Sequence, residues 1–387
     1  MLARLRILLF TTILLMGGLL ACQSKPVVTT NEWAQKMETL YTSFVDMIPY
    51  IYNGEAYRQV QNREHILRLY DKLTYSVHIV EKTVDRAAGA QDPILKVAAD
   101  EMNANIEYAR FSFEKGYFDY SRGLMQYTAN QCFQCHTRAN VGPAFGDRHL
   151  NLDQLNLDST EKADIYIATR QYGFAQKILE TTIDNASTFD PMPMDLEESL
   201  YLYMALMIRI QQQPRTVIDR LEKLLRQDNL PLYFRRDLEG WVSSLKRWET
   251  NLKRGRVDGD EVHQARQLVK EGDRLRKRPT DRSGDVAYLR ATAILHRFLQ
   301  KKQDSKLQAE AYYLLGTTYE NLRRYGGLDL YKAYYRACVE ADPKGSFAQK
   351  CYERYEENAY VDFWEGGAQF SAEPLRKRLK TLKELIK

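Results

Sequence analysis

The sequence predicts an all-α protein: an antiparallel four-helix bundle followed by an α-solenoid of helical hairpins. Apolar residues recur every three or four positions from Asn31 to Ala139, which is the period of one helix face. Gly, Pro and Asn interrupt this pattern at short turns, and short turns favour antiparallel neighbours. The helical pattern returns at Ser159 and continues through the rest of the chain.

Each bundle helix has start and stop signals. Pro49 and Asn53–Gly54 end the first helix, Asp92–Pro93 caps the third at its start, and Gly116 closes it. Residues 132–136 fall at the end of the fourth helix. The expected helices begin at Asn31, Glu55, Pro93 and Phe118 and run to about residues 48, 88, 115 and 136.

Cys132, Cys135 and His136 form Cys-x-x-Cys-His, the attachment signature of c-type haem. Two thiols at this spacing can add to the two haem vinyl groups, and the adjacent imidazole can then ligate the iron. A thioredoxin-like thiol pair and a structural zinc pair are the alternatives. Neither has its usual context, because no βαβ pattern and no second Cys/His pair accompany the motif.

The stretch from residue 31 to 139 resembles the class II, c-prime type cytochromes, which carry this motif on the last helix of a four-helix bundle. Six-coordinate relatives place an axial Met near the start of the first helix, where this chain has Met37. The resemblance therefore implies one covalent haem c, His136 as an axial ligand and Met37 as a candidate sixth ligand. Met37 can equally be a member of the apolar core stripe. Without a sixth ligand the iron would be five-coordinate, as in relatives that bind NO and CO. Weaker ligand candidates are Met47, His65 and His78, and Phe44 could wall the pocket.

A competing interpretation comes from Val141–Phe145, which resembles the Gly-Pro segment of class I cytochromes c. In that class the axial Met lies C-terminal to the motif, and Met192 or Met194 would fill the role. About a hundred residues of helical chain before the motif count against this interpretation, because a class I domain needs one helix there.

The N-terminus predicts export. Arg4 and Arg6 precede an apolar run that is short for a membrane span, and the run ends in Leu19–Cys22, which resembles a bacterial lipobox. The resemblance implies a signal peptide at residues 1–21, lipid on Cys22, a tether over 22–30 and, from Gln23, the periplasmic side of the outer membrane. An ordinary secretory signal cleaved nearby is the alternative.

Residues 140–158 are rich in Gly, Asn and Asp and are predicted to be a linker before a second domain at 159–387. Ala311–Tyr319 and Ala333–Ala337, with Gly316 between the helices and Asp342–Pro343 after them, resemble a tetratricopeptide repeat (TPR). Residues 168–179 resemble half of another repeat. Further helices are expected at 196–212, 215–227, 232–252, 260–277 and 285–302.

Two cysteines remain for a disulfide. An exported compartment is oxidising, and Cys338 and Cys351 flank the Asp342–Pro343 turn between antiparallel helices, so a bridge between them is expected. Two free buried thiols are the alternative.

The net charge and the motifs limit the function classes that suit this sequence. A net charge of +5, lowered to +3 by loss of Arg4 and Arg6, does not suit nucleic-acid binding. The basic run Lys270–Arg282 is expected to be a solvated loop, or else a docking patch for an acidic partner or lipid headgroups. No hydrolytic or transferase constellation is visible, so an enzyme is not expected. One-electron transfer by a lipid-anchored cytochrome, with the repeat domain holding a redox partner protein or envelope complex, is the leading hypothesis. A haem-based gas sensor and an envelope scaffold with structural haem are the alternatives.

Overall fold

A computed structural model describes residues 31–83, 92–138, 150, 152–185, 194–255, 259–301, 304–322, 330–365 and 372–387. Within these ranges every regular element is a helix. The N-terminal helices are α1 (Asn31–Ile51), α2 (Gly54–Arg58), α3 (Arg63–Thr83), α4 (Pro93–Glu114) and α5 (Phe118–His136). The later helices are α6 (Ser159–Ala168), α7 (Tyr172–Asp184), α8 (Met194–Ala205), α9 (Pro214–Leu225), α10 (Leu232–Lys253), α11 (Glu261–Leu275), α12 (Asp285–Leu299), α13 (Ser305–Asn321), α14 (Leu330–Ala341), α15 (Ala348–Glu365) and α16 (Ala372–Ile386).

The predicted third and fourth helices are confirmed. Asp92 caps α4 by accepting a hydrogen bond from the backbone N–H of Ile94, and Pro93 occupies the first helical position, where its missing N–H costs nothing. Gly116 follows α4 with φ +85°, a conformation that suits glycine. Phe118 and His136 bound α5 as the pattern indicated.

The single second helix predicted over residues 55–88 is wrong in its first part. The structure has the short α2, a 3-10 turn at Val60–Asn62 and then α3, and residues 84–88 lie outside the described ranges. Gln59 is extended between them, with ψ 129°. The break allows Tyr57 to turn into the core, where its hydroxyl group meets those of Tyr70 and Ser121.

The helices expected in the second part of the chain are confirmed to within a few residues. One feature was not anticipated: α8 continues as a wider π-helical segment, Leu206–Gln211, which ends at Gln212 in the left-handed conformation. The basic run expected to be a loop starts in helix α11, and only its second half forms the connection to α12. In that half, Arg276 donates to the side-chain carbonyl of Asn321, and Arg282 donates to the backbone carbonyl of the same residue.

Neighbouring helices of the second part pack closely as antiparallel pairs. A Cβ atom added to Gly316 would lie 2.5 Å from the Tyr335 ring, so a small residue is required where α13 meets α14. Cys338 and Cys351, on α14 and α15, are joined by a disulfide with their Cα atoms 6.2 Å apart. A bridge that closes a loop of this size stabilises the fold by about 2–3 kcal/mol.

The two predicted domains share one continuous hydrophobic core. Helix α6 packs along α5, and α14 packs against α4. The described part of the predicted linker also belongs to this core: Leu150 and Leu152 are buried, and Tyr166 donates a hydrogen bond to the Leu150 carbonyl. The end of α5 and the start of α4 contact the later helices, and we call this contact region the seam. In the described ranges no helix is long and apolar enough to cross a membrane.

Candidate functional site at the seam

The Cys-x-x-Cys-His residues occupy the last turns of α5. Cys132 and Cys135 lie three residues apart on one side of the helix, half-buried and not joined by a disulfide. The Cys132 thiol donates a weak hydrogen bond to the Thr128 carbonyl at 3.6 Å. The helix therefore presents two reduced sulfur atoms about one turn apart, directly before His136.

Burial keeps both thiols protonated. It raises the pKa of Cys132 to about 12, with the neighbouring Cys135 adding to the rise. Burial also raises the pKa of Cys135, although the guanidinium of Arg138 opposes it. A nucleophilic thiol pair needs the opposite shift, so these thiols lack the electrostatic character of a thioredoxin-like site.

The imidazole of His136 is neutral near pH 7. Burial and the charge of Arg170 lower its pKa to about 4, against the opposing effect of hydrogen bonds to the backbone carbonyls of Ala168 and Ile167. These carbonyls end helix α6, where carbonyl groups lack partners within the helix. The Tyr172 hydroxyl group also donates to the His136 carbonyl at 2.9 Å. Both ends of His136 are thus held by the α6–α7 hairpin.

These donor groups fit a c-type haem. Iron ligation requires a neutral imidazole, and ligating histidines commonly donate their other ring N–H to a carbonyl group that fixes the ring orientation. The motif residues supply two thiols and a neutral imidazole. The backbone carbonyls of Ala168 and Ile167 lie close enough to the ring to affect its pKa. The fit concerns the motif itself and leaves the sixth ligand open.

Met37 lies toward the same end of the bundle as the motif. The Arg122 guanidinium, near the start of α5, donates to the Ile51 carbonyl at the end of α1, so the two helices run in opposite directions. Met37 stands near the start of α1 and hence on the side of the α5 end, where its half-buried side chain packs against the core. This placement agrees with either role expected for Met37.

The other sequence candidates are core residues of α1, exposed histidines of α3, or residues at or beyond the limits of the described ranges. Met47 and Phe44 are buried in the core of α1, whereas His65 and His78 are exposed and His78 pairs with Glu81. Met194 begins α8, and nothing is described of its side chain. Cys22, Val141–Phe145 and Met192 lie outside the described ranges.

A second group of functional interest, which we call the seam cluster, consists of Asp92, Arg138, Arg209, His296, Tyr319 and Tyr334. All six side chains are buried. The Asp92 carboxylate accepts hydrogen bonds from Tyr334 Oη and from His296 Nδ1, each at 2.7 Å. His296 Nε2 lies 2.7 Å from Tyr319 Oη. The cap residue of α4 is therefore bound to side chains from α12 and α14.

Two guanidinium groups flank the Tyr319 ring. The Arg138 and Arg209 guanidinium carbons lie 5.4 and 5.5 Å from the ring centroid, within the range of a cation–π contact. Arg209 comes from the π-helical segment, and its Nε donates to the Thr292 hydroxyl group at 3.0 Å. The seam cluster thus joins the α5 end to α8, α12, α13 and α14.

The charges of the seam cluster are interdependent. Burial alone would raise the pKa of Asp92, but His296, Arg138 and the Tyr334 hydroxyl group together lower it, so the carboxylate is ionised. Burial lowers the pKa of His296, and the guanidinium groups of Arg138 and Arg209 lower it further against the attraction of Asp92. We therefore assign a neutral imidazole that donates to Asp92 and accepts from Tyr319. Burial and the charge of Asp92 raise the pKa of Tyr334 well above its usual value.

Sequence reasoning found Asp92 only as a helix cap and did not single out the other five members. Arg138 follows the motif by two residues, but an arginine beside a motif has no specific spacing signal. His296 lies 204 positions from Asp92, and no local pattern reports such a contact.

Comparison with protein-family models, curated proteins and solved structures finds no match for this chain. Among the residues described, no group of three or more His, Cys, Asp or Glu side chains is arranged to hold a metal ion.

Proposed function

We propose that the protein is an exported monohaem c-type cytochrome that transfers single electrons and is anchored to the outer membrane, on its periplasmic side, through lipid on Cys22. The observation that carries the proposal is the motif at the end of α5, with two protonated thiols and a neutral imidazole. A haem bound there would supply iron that cycles between the ferrous and ferric states.

The chain's own residues would tune that chemistry. Cys132 and Cys135 would hold the ring through thioether bonds, and His136, which contacts the α6 carbonyls and Tyr172, would supply an iron ligand. Met37 is our candidate sixth ligand, because a thioether favours the reduced iron and raises the potential.

We assign the haem to a c-prime-like bundle and partner docking to a TPR-like array from residue 159 onward. A groove of about 330 Å³ supports the docking role. Arg290 lines it with its guanidinium 4.8 Å from the Trp248 ring centroid, and burial lowers the pKa of Arg290 to about 10. Arg247 and Arg297 line the same groove with Glu271, an arrangement that favours an acidic partner.

The test is expression with a c-type maturation system. Wild-type protein is expected to retain haem after denaturation and to give a pyridine haemochrome of the doubly thioether-linked type. A Cys132→Ala/Cys135→Ala protein is expected to lose covalent haem, and a Cys338→Ser/Cys351→Ser protein, which also lacks two cysteines, is the matched control that keeps it. Haem-free wild-type protein from cells that mature another cytochrome would refute the proposal.

A gas sensor is the second candidate, favoured by one observation. His136 is held at both its ring and its carbonyl by the α6–α7 hairpin, so a change in iron ligation would act directly on the second part of the chain. The absorption spectrum separates the two functions. A low-spin spectrum that becomes high-spin in Met37→Ala supports electron transfer, whereas a high-spin wild-type spectrum that shifts with CO or NO supports the sensor.

A further inference from the structure

Arg138 is buried without hydrogen-bond partners for its guanidinium. The residue is 3% exposed, yet Nε, Nη1 and Nη2 all lack an acceptor among the described residues. Removing a charged group from water costs several kcal/mol unless an opposite charge or hydrogen bonds compensate for it. An arginine in this state requires an acceptor that the described protein atoms do not supply.

The nearest carboxylate does not supply that acceptor. Asp92 attracts Arg138 electrostatically and helps to raise its pKa. Its Oδ1 accepts from Tyr334 and from the Ile94 N–H, and its Oδ2 accepts from His296. Among the described residues, the Arg138 guanidinium makes no hydrogen bond to either oxygen. The Tyr319 ring interacts with the guanidinium through its π electrons. A ring face accepts none of the in-plane N–H bonds, which in arginine form a fork suited to carboxylates.

The surroundings of the guanidinium come from several helices. Arg138 lies two residues beyond the end of α5, and Arg209 of the π-helical segment lies on the Tyr319 ring with its Nε bonded to Thr292. Cys135 is close enough to Arg138 for its charge to affect the pKa of the guanidinium. The unfilled donors are therefore near the thiol that would carry haem.

We propose that the seam cluster is a carboxylate-binding site in which Arg138 donates a forked pair of hydrogen bonds. The carboxylate has two possible sources. One is a propionate group of the haem attached at Cys132 and Cys135, and this source rests on the proposed function. The other is a small free carboxylate, which requires no haem. In either case the bound anion joins the α5 end to the later helices.

The first experiment tests whether a haem propionate is the carboxylate bound by Arg138. Holoprotein carrying haem with ¹³C-labelled propionate carboxyl groups is titrated with pH and followed by NMR. One labelled carboxyl group is expected to have a pKa about one to three units lower in wild-type protein than in Arg138→Gln, because a guanidinium partner lowers a carboxyl pKa by this amount. Arg138→Lys is expected to be intermediate, and Arg68→Gln, at an exposed site on α3, is expected to match wild type.

The second experiment tests whether a small free carboxylate binds at Arg138. The thermal midpoint of holoprotein and of the Cys132→Ala/Cys135→Ala protein is measured in acetate and in chloride of equal ionic strength. A midpoint raised by acetate in wild type but not in Arg138→Gln establishes a free carboxylate ligand. If Arg138→Gln does not fold, Arg138→Lys replaces it in both experiments, since lysine keeps the charge and loses the fork.

The proposal is overturned if neither the labelled propionates nor the acetate effect responds to substitution of Arg138 in folded protein. That result differs from failure of the proposed function, which appears as absent covalent haem in the haemochrome assay. In the latter case the acetate experiment still tests the site.

Discussion

Two buried polar clusters in this protein differ in how completely their hydrogen bonds are satisfied. In the bundle, Tyr57, Tyr70 and Ser121 form a closed group: Tyr57 Oη lies 2.5 Å from Tyr70 Oη and 2.7 Å from Ser121 Oγ, and Ser121 donates to the Ala109 carbonyl. All members are neutral, and each has a partner. In the seam cluster both Asp92 oxygen atoms accept hydrogen bonds, whereas Arg138 is charged and its guanidinium has no acceptor among the described residues.

The difference separates a structural role from a binding role. A closed network of neutral hydroxyl groups specifies helix packing and needs nothing further. A buried cation without acceptors is costly and is retained where a ligand or function uses it. The hydroxyl cluster therefore accounts for the break between α2 and α3, and the seam cluster is where a bound anion is expected.

The largest expected effect comes from removing Asp92. Asp92→Ala deprives His296 and Tyr334 of their acceptor, leaves Arg138 without a nearby opposite charge and removes the α4 cap. The expected loss in the free energy of unfolding is about 3–5 kcal/mol, measured by urea denaturation. Asp260→Ala removes an exposed cap of α11 that has no such network, and about 1 kcal/mol is expected. Equal losses in the two variants would show that Asp92 acts only as a cap.

A smaller effect is expected in the hydroxyl cluster. Tyr57→Phe removes one hydroxyl group while Tyr70 and Ser121 still bond to each other at 2.9 Å. The expected cost is about 1–2 kcal/mol in urea denaturation, with the same value in wild-type and Cys132→Ala/Cys135→Ala backgrounds. Tyr75→Phe, at a side chain that is 65% exposed, is the control and should cost nothing measurable. A Tyr57→Phe cost that depends on the motif cysteines would contradict the purely structural role.

The last comparison concerns an acid of opposite sign to Arg138, and its effect depends on pH. Burial, with Glu198, Asp158 and Glu161 adding to it, raises the pKa of Asp164 from 3.8 to about 8. Between these values the folded state holds a proton that the unfolded state has released, so this residue makes stability fall as pH rises. Asp164→Asn should therefore gain stability over wild type near pH 8 and little near pH 4.

Urea midpoints of Asp164→Asn across this pH range check the sign. Asp153→Asn, at an exposed carboxylate bound to Lys162, serves as the matched control. A gain that is constant with pH would rule out titration of Asp164 as its cause.

Much of the helical framework follows from local signals. The Asp92–Pro93 cap, Gly116 and the apolar stripe fixed the bounds of α4, because caps and helix periodicity act within a few residues. The break at Gln59 was missed, since it depends on a hydroxyl contact between Tyr57 and Ser121, 64 positions away. Prediction succeeded where the determining contacts are local and failed where a distant partner decides.

The candidate site divides in the same way. The sequence alone determined the Cys132, Cys135 and His136 motif and its place at the end of a helix, because both depend on residues that are close in the chain. Only the tertiary structure decided that His136 is held by α6 and α7, and that Asp92 and Arg138 meet His296, Tyr319 and Tyr334. These contacts depend on how helices far apart in the chain pack, and burial at that packing surface gives the seam cluster its charge states.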